Sequence, residues 1–191
     1  EQGLAHSRRL YAALSQCNQA IVRCTDEPEL LAQVCRIAVE FGGLKMAWVG
    51  MVDASTDKVV PVASFGSGTE YLQGIEIWVQ AGHVGGPVGM AIRSQAPVWC
   101  QDFLHDPLTA PWHARGEHFG WLSVAALPLT RNGGVCGAFN LYASETNAFD
   151  EPSCKLLLEM STDISFALDN FTREAQRAAA QALVVQERDF T

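Results

Sequence analysis

The apolar residues at the start of the chain repeat with the period of a helix. One set advances in alternating steps of four and three, which is a heptad seam on one helix face: Leu10, Leu14, Cys17, Ile21 and Cys24. A second amphipathic helix is predicted after Asp26 and Pro28, residue types suited to a helix cap and a first turn. We therefore predict two helices ahead of the first strand, and we expect the heptad face to pack against a partner helix.

The middle of the chain changes to the patterns of strands. Residues 44–53 are apolar on both alternating faces, which predicts a central strand covered on both sides. Further strands are predicted at residues 58–65, 75–79, 97–101, 121–130 and 135–143. Gly133 and Gly134 can take positive φ angles, so the last two strands should form a hairpin. This order predicts an α+β fold with an antiparallel sheet of about six strands.

A long helix is predicted after Asp150, which suits the N-cap position. Apolar residues recur at helical spacing from Leu157 to Val185, and a helix over residues 152–188 would be ~55 Å long. One small domain cannot cover that length. We expect the uncovered half to meet the same helix of a second copy, in a parallel homodimer joined by the heptad face of residues 10–24. The alanine-rich stretch 175–182 is equally typical of a solvent-exposed single helix.

These patterns divide the chain into three parts. Residues 1–24 form an N-terminal helix, residues 25–150 a core domain, and residues 151–191 an exit helix. The exit helix is expected to lead to an output domain of the same polypeptide.

Composition narrows the possible functions. The formal net charge is -8 and the pI is about 5.0, which argues against nucleic acid and anionic lipid as partners because both need a basic surface. No apolar run reaches the length of a membrane span, and we expect no membrane contact. The six cysteines are far apart and have no zinc-site spacing. They indicate reduced core residues in a cytoplasmic protein.

A long polar connection joins two of the predicted strands. Residues 102–120 carry seven side chains capable of binding or stacking: Asp102, His105, Asp106, Trp112, His113, Glu117 and His118. A connection of that length inside a domain is usually functional, most often as a lid over a pocket. His113 and His118 are five residues apart, a spacing that does not suit two metal ligands on one helix face. No cysteine completes a set of ligands, so we predict no metal site.

The order and spacing of these elements resemble those of the GAF family of small-molecule sensor domains. The likeness is carried by residues 38–50, 89–93, 97–98 with Asp102, 123–129, 135–142, 149–151 and 164–168. In particular the chain resembles the GAF domains placed ahead of output domains in bacterial signalling proteins, such as diguanylate cyclases, cyclic-di-GMP phosphodiesterases and sensor kinases.

The resemblance implies an arrangement and a role. The terminal helices are expected on one face of the sheet, and a ligand pocket on the other, roofed by a short helix near residues 87–94 and by the 102–120 lid. No particular cofactor is predicted. The expected ligand is a small molecule whose identity is unknown, and we expect no catalytic residue. The pocket candidates are Trp48, Phe65, Trp78, Trp99, Asp102, Asp106, Trp112, His113, Phe119, Ser123 and Ala125. The two lid aspartates are equally suited to be turn and cap residues, and Trp99 and Trp112 to hold the lid onto the sheet.

Departures from the family pattern argue against cyclic nucleotides and bilins as ligands and leave alternative functions. Ala143-Ser144 stands where cyclic-nucleotide-binding members have Asn-Lys, and no Cys-His dipeptide is present for a bilin. The sequence therefore predicts a non-enzymatic sensory domain. Two other functions stay open: a structural dimerisation module with a filled pocket, and a redox enzyme of the free methionine sulfoxide reductase type that uses Cys100.

Overall fold

The protein, studied as a computed structural model that describes residues 2–80 and 85–190, begins and ends with helices. Its elements, in chain order, are α1 (Gln2–Arg23), α2 (Glu27–Glu40), β1 (Met46–Asp53), β2 (Lys58–Gly66), α3 (Gly86–Ser94), β3 (Val98–Cys100), α4 (His113–Phe119), β4 (Ser123–Arg131), β5 (Gly134–Ala143) and α5 (Glu151–Asp189). Two short 3-10 helices, Thr69–Leu72 and Pro107–Trp112, precede α3 and α4. None of the described helices is both long and apolar enough to cross a membrane.

The five strands form one antiparallel sheet in the order β2-β1-β5-β4-β3. This confirms the predicted α+β class. The expected sixth strand, residues 75–79, forms only one isolated bridge, between Lys58 and Trp78, at the start of β2. Two backbone bonds, Val59 N to Ile77 O at 2.9 Å and Val79 N to Asp57 O at 3.2 Å, hold it there. A pairing this short leaves most of β2 as the edge of the sheet.

One face of the sheet is covered by α2 and α5, and α1 packs on these two helices. Side chains such as Val49 and Leu127 point to this face because residues alternate between the two faces along a strand. Cys17 of α1 and Val34 of α2 belong to the same core and are fully buried. The heptad face of α1 is thus covered by the chain's own core. This corrects the expectation that residues 10–24 join two copies.

The exit helix α5 is capped and long, as predicted. Asp150 accepts a hydrogen bond from Ser153 N at 2.9 Å, and Pro152 lies in the first turn. The helix has 39 residues, of which those up to Leu168 contribute the core side. From 173 to 190 every residue is exposed. The domain therefore covers only the first half of α5.

Candidate functional site

The second face of the sheet carries a cluster of aromatic rings. We call this set the aromatic cluster: Trp48, Tyr71, Phe103, Trp112, Trp121 and Tyr142. The ring of Trp121 is central, with centroids 4.6 Å from Tyr142, 5.1 Å from Tyr71 and 6.1 Å from Phe103. These separations are those of favourable aromatic pairs. A large apolar surface is thus buried on the side of the sheet opposite the terminal helices.

The aromatic cluster is roofed by α3 and by residues 102–120, which we call the lid. The sequence predicted an irregular lid, but it is mostly helical because local caps stabilise short turns. Asp106 accepts from Leu108 N at 2.9 Å, ahead of Pro107. Thr109 Oγ1 donates to the carbonyl of Phe103 at 2.5 Å, and His113 Nε2 donates to the carbonyl of Asp106 at 2.9 Å. These bonds hold the lid as one unit.

Trp112 brings the lid into contact with α3. Its ring lies against Gly86, the first residue of α3, where φ is +56° and a Cβ atom would overlap the ring. Trp112 is 6% exposed. The cavity left among the rings, Val88 and Val124 is about 10 Å³. That volume holds at most one water molecule, so no larger molecule fits while Trp112 stays in place.

One hydrogen bond links two rings at the floor of the aromatic cluster. Trp48 Nε1 donates to the hydroxyl oxygen of Tyr142 at 3.0 Å, from β1 to β5. Burial raises the pKa of Tyr142 to about 12. The phenol is therefore neutral at physiological pH and serves as an acceptor.

Two other polar atoms on this face have no partner among the described residues. Trp121 Nε1 and Asn140 Oδ1 are buried without a hydrogen bond, as is Ser153 Oγ at the start of α5. Asn140 lies on β5 two positions from Tyr142, so both side chains project from the same face. Its amide nitrogen donates to Trp48 O at 3.3 Å. Buried polar atoms without partners are rare and need a reason.

The predicted pocket residues fall into three groups. Trp48 and Trp112 belong to the aromatic cluster, and Phe119 stacks on Trp121 at 5.0 Å, at its edge. These three predicted residues lie together. The other rings of the cluster were not predicted; Tyr142 could have been found from β-alternation, since its neighbours Leu141 and Ala143 continue the helix-covered face of the hairpin.

A second group lies at the periphery. Asp102 is exposed and pairs with His105 at 2.9 Å, while Asp106 and His113 form the hydrogen bonds within the lid. Trp78 lies at the sheet edge, where Lys58 Nζ is 4.6 Å from its ring centroid. Within the described residues no group of His, Cys, Asp and Glu side chains could hold a metal ion.

The third group lies on the helix-covered face. Trp99 packs on Phe149 at 5.7 Å, and the hydroxyl of Ser123 donates to Glu145 O at 2.6 Å. Phe65 packs against the same core, and Ala125 is buried in it. These four predicted residues, Phe65, Trp99, Ser123 and Ala125, are therefore corrected from pocket positions to positions under the terminal helices.

Cys100 is the cysteine on the aromatic face. Its thiol donates to Asp106 Oδ2 at 3.5 Å, and burial, followed by the negative charge of Asp106, raises the pKa of Cys100 to about 12. The other cysteines belong to the helix side or pack against it. A buried neutral thiol without a second thiol beside it is a poor nucleophile.

A five-stranded antiparallel sheet, with terminal helices on one face and a roofed cavity on the other, defines a class of α+β domains. Comparison with known families gives the particular one: the sequence profile described as GAF domain matches residues 24–169. The chain belongs to the GAF domain family. Membership in this family supports a sensory or regulatory role. No curated protein sequence matches the chain significantly.

Solved structures with this fold come from proteins of different activity. The free methionine-R-sulfoxide reductase of Neisseria meningitidis has a TM-score of 0.72 at 18% identity, over 86% of this chain and 91% of that one. The GAF domain of a phosphoenolpyruvate-protein phosphotransferase of Coxiella burnetii has 0.71 at 13%, over 89% and 98%. A domain of a two-component sensor histidine kinase protein of Sinorhizobium meliloti, itself described as putative, has 0.61 at 15%, over 81% and 99%. At these identities the likeness shows the fold alone.

Proposed function

We propose that this chain is the non-enzymatic input domain of a bacterial signalling protein, in which occupancy of the aromatic cavity changes the packing of α5 and thereby an output domain. The observation that carries the proposal is α5 itself, a 39-residue helix. Its first half is part of the core and its second half is exposed. A helix built in this way transmits movement out of a domain, because its two halves are one rigid rod.

A set of hydrogen bonds supports the coupling of the sheet to α5. Thr130 N donates to Ser165 Oγ at 3.0 Å, Asn132 N to Asp169 Oδ1 at 2.7 Å, and the Arg131 guanidinium to Thr172 Oγ1 at 2.8 Å. We call these three bonds the β4–α5 contact. The opposite face of β4 carries Val124, which lines the cavity. Movement of β4 on ligand binding would therefore act on α5 directly.

The size of the effect follows from linkage. A ligand shifts the position of α5 only by its difference in affinity for the two arrangements, typically ~1–3 kcal/mol. The β4–α5 contact consists of a few hydrogen bonds, each worth ~1 kcal/mol net. The two energies are comparable, so one ligand is sufficient to shift the equilibrium.

The exposed half of α5 supports a homodimer. The apolar stripe of its core side continues beyond Phe171 through Ala175, Ala178, Ala182 and Val185, all in the exposed half. Val185, on this stripe, is 57% exposed. Apolar side chains in a helical stripe are stabilised when a second helix covers them. We propose that the second helix is α5 of another copy, with each output domain following its own helix.

One observation favours a second candidate, the structural dimerisation module. The cavity is about 10 Å³, and no drug-sized molecule fits unless the lid moves. In that case the aromatic cluster would be a second hydrophobic core. The two candidates differ in whether the lid opens for a ligand.

The redox enzyme has weaker support. Cys100 is buried, its pKa is raised to about 12, and the other cysteines lie towards the other face of the sheet. Reduction of a sulfoxide by a thiol needs a thiolate and, for turnover, a resolving thiol. We therefore propose that the domain senses rather than reduces.

Native mass spectrometry of the purified chain tests the proposal. We expect a dimer with an additional mass that disappears on denaturation. Val185→Glu should convert the dimer to a monomer, whereas Val62→Glu, an equally polar change at an exposed site on β2, should not. A monomeric wild-type protein without additional mass would contradict the proposal, and a dimer that stays free of every ligand tested would favour the structural module.

A further inference from the structure

The tip of the hairpin between β4 and β5 holds the one Asn-Gly dipeptide of the sequence, Asn132-Gly133. We propose that this dipeptide is a modification site, at which Asn132 deamidates without an enzyme and the new carboxylate weakens the β4–α5 contact. The reaction needs only water, so it requires neither a ligand nor a second copy. It is therefore independent of the proposed sensory function.

Glycine after asparagine allows the backbone to attack the side chain. The Gly133 nitrogen loses its proton to hydroxide and forms a bond to Cγ of Asn132, and the Cγ–Nδ2 bond breaks with release of ammonia. Water then opens the resulting five-membered imide at either carbonyl carbon, which leaves aspartate or isoaspartate. A side chain on the following residue hinders the attack, and glycine has none. The other four asparagines precede glutamine, leucine, alanine and phenylalanine.

The turn leaves the reacting atoms open to water. Asn132 and Gly133 are both exposed, and no atom lies within 4 Å of the position that a Cβ of Gly133 would occupy. No hydrogen bond within the described residues engages the Gly133 N–H. The φ angles of the two residues, +53° and +80°, are those of a two-residue hairpin loop, for which Asn-Gly is the favoured sequence. Folding therefore forms this turn without burying the site.

Deamidation places a negative charge beside one that is already present. The backbone nitrogen of Asn132 donates to Asp169 Oδ1 at 2.7 Å, and three covalent bonds separate that nitrogen from Cγ of its own side chain. A carboxylate at residue 132 therefore lies near the Asp169 carboxylate, and like charges repel. The guanidinium of the adjacent Arg131 is already bonded to Glu27. Isoaspartate also lengthens the loop backbone by one carbon atom, which displaces the N–H donor.

Peptide mapping of the complete folded chain by mass spectrometry tests the site. We expect a gain of about one dalton at Asn132, with conversion about tenfold faster for each unit of pH, because the deprotonated fraction of a weakly acidic nitrogen rises in that proportion. Asn147 is the control in the same molecule, since it is exposed and has a φ of +56° but precedes Ala148. It should stay unchanged. Equal conversion of Asn147, or an unchanged Asn132 when the urea-unfolded chain has converted, would overturn the proposal.

Variants measure the effect of the new charge on α5. Asn132→Asp introduces one product directly, and Asn147→Asp adds the same charge ahead of the first turn of α5, far from Asp169. We expect amide hydrogen exchange of residues 165–172 to be about twofold to fivefold faster in Asn132→Asp, and unchanged in Asn147→Asp. Combined with Asp169→Asn, the Asn132→Asp change should have no such effect. Equal exchange in the two single variants, or an effect that persists without the Asp169 carboxylate, would overturn the proposed action on α5.

Discussion

The guanidinium group of Arg131 donates to both carboxylate oxygens of Glu27, at 2.6 and 3.1 Å. Arg131 is the last residue of β4 and Glu27 the first of α2, and the same guanidinium also donates to Thr172 of α5. Both side chains of the ion pair are 28% exposed. Strand, helix and exit helix therefore meet at one side chain, at the level where α5 leaves the domain.

Arg131→Ala should release α5 at this level. Loss of the paired hydrogen bonds is expected to lower the free energy of unfolding by about 1–2 kcal/mol, and to speed amide hydrogen exchange around residues 165–175 more than elsewhere. Arg36→Ala is the matched control, because its pairing with Glu40 lies within α2, on the surface. Equal exchange near residue 170 in both variants would contradict the coupling.

Tyr142→Phe should show what the buried hydrogen bond contributes. The substitution leaves Trp48 Nε1 without its acceptor, and we expect a loss of about 1–3 kcal/mol in urea unfolding. Tyr11→Phe, at a residue that is 67% exposed, should have almost no effect. Similar stabilities for the two variants would show that water or a ring replaces the acceptor.

Gly86→Ala should displace Trp112. The φ angles of Gly86 and Gly133 are +56° and +80°, so alanine is strained at both, but only at Gly86 would its Cβ meet another side chain. Gly86→Ala should therefore destabilise the protein by about 1 kcal/mol more than Gly133→Ala, and shift the tryptophan fluorescence to longer wavelength. The argument for a closed lid fails if the two variants have the same spectrum and stability.

Stability should fall at alkaline pH. Burial raises the pKa of Cys35 from 9.0 to about 12, so the folded chain holds this proton more tightly than the unfolded chain. The contribution of the protonated Cys35 thiol to the free energy of unfolding is complete below pH 9. It is lost as the pH rises from 9 to 12, at up to about 1.4 kcal/mol per pH unit. Unfolding at pH 8 and pH 10 measures the slope, which Cys35→Ala should reduce. Cys24→Ala, at a thiol that is only partly buried and whose pKa burial also raises, should change the slope less.

The parts of the fold that could be predicted from the sequence are those set by local pattern. The hairpin of β4 and β5 and the cap of α5 at Asp150 follow from turn glycines, alternation and cap chemistry. Residues 75–79 alternate like a strand, yet they pair at one bridge only. Pairing depends on a partner edge, which local alternation does not contain.

The residues of the site were predicted less well than the fold. An alternating strand has two sets of side chains, and the sequence alone does not say which set faces the cavity. Ser123 and Ala125 were assigned to the cavity by position along β4, but the phase of this strand places them under the helices with Leu127. Trp121 lies two residues before β4, and Tyr71 lies in a 3-10 helix. Only the assembled sheet and lid bring these distant rings together.

The spacing of the β4–α5 contact limits how α5 can rotate relative to β4. Its acceptors Ser165, Asp169 and Thr172 are four and three residues apart on one side of α5, and each residue turns the helix by ~100°. A rotation by one residue would remove all three acceptors from β4 at the same moment. Intermediate angles would satisfy none of them, so in the proposed input role α5 would act as a switch rather than as a graded transmitter.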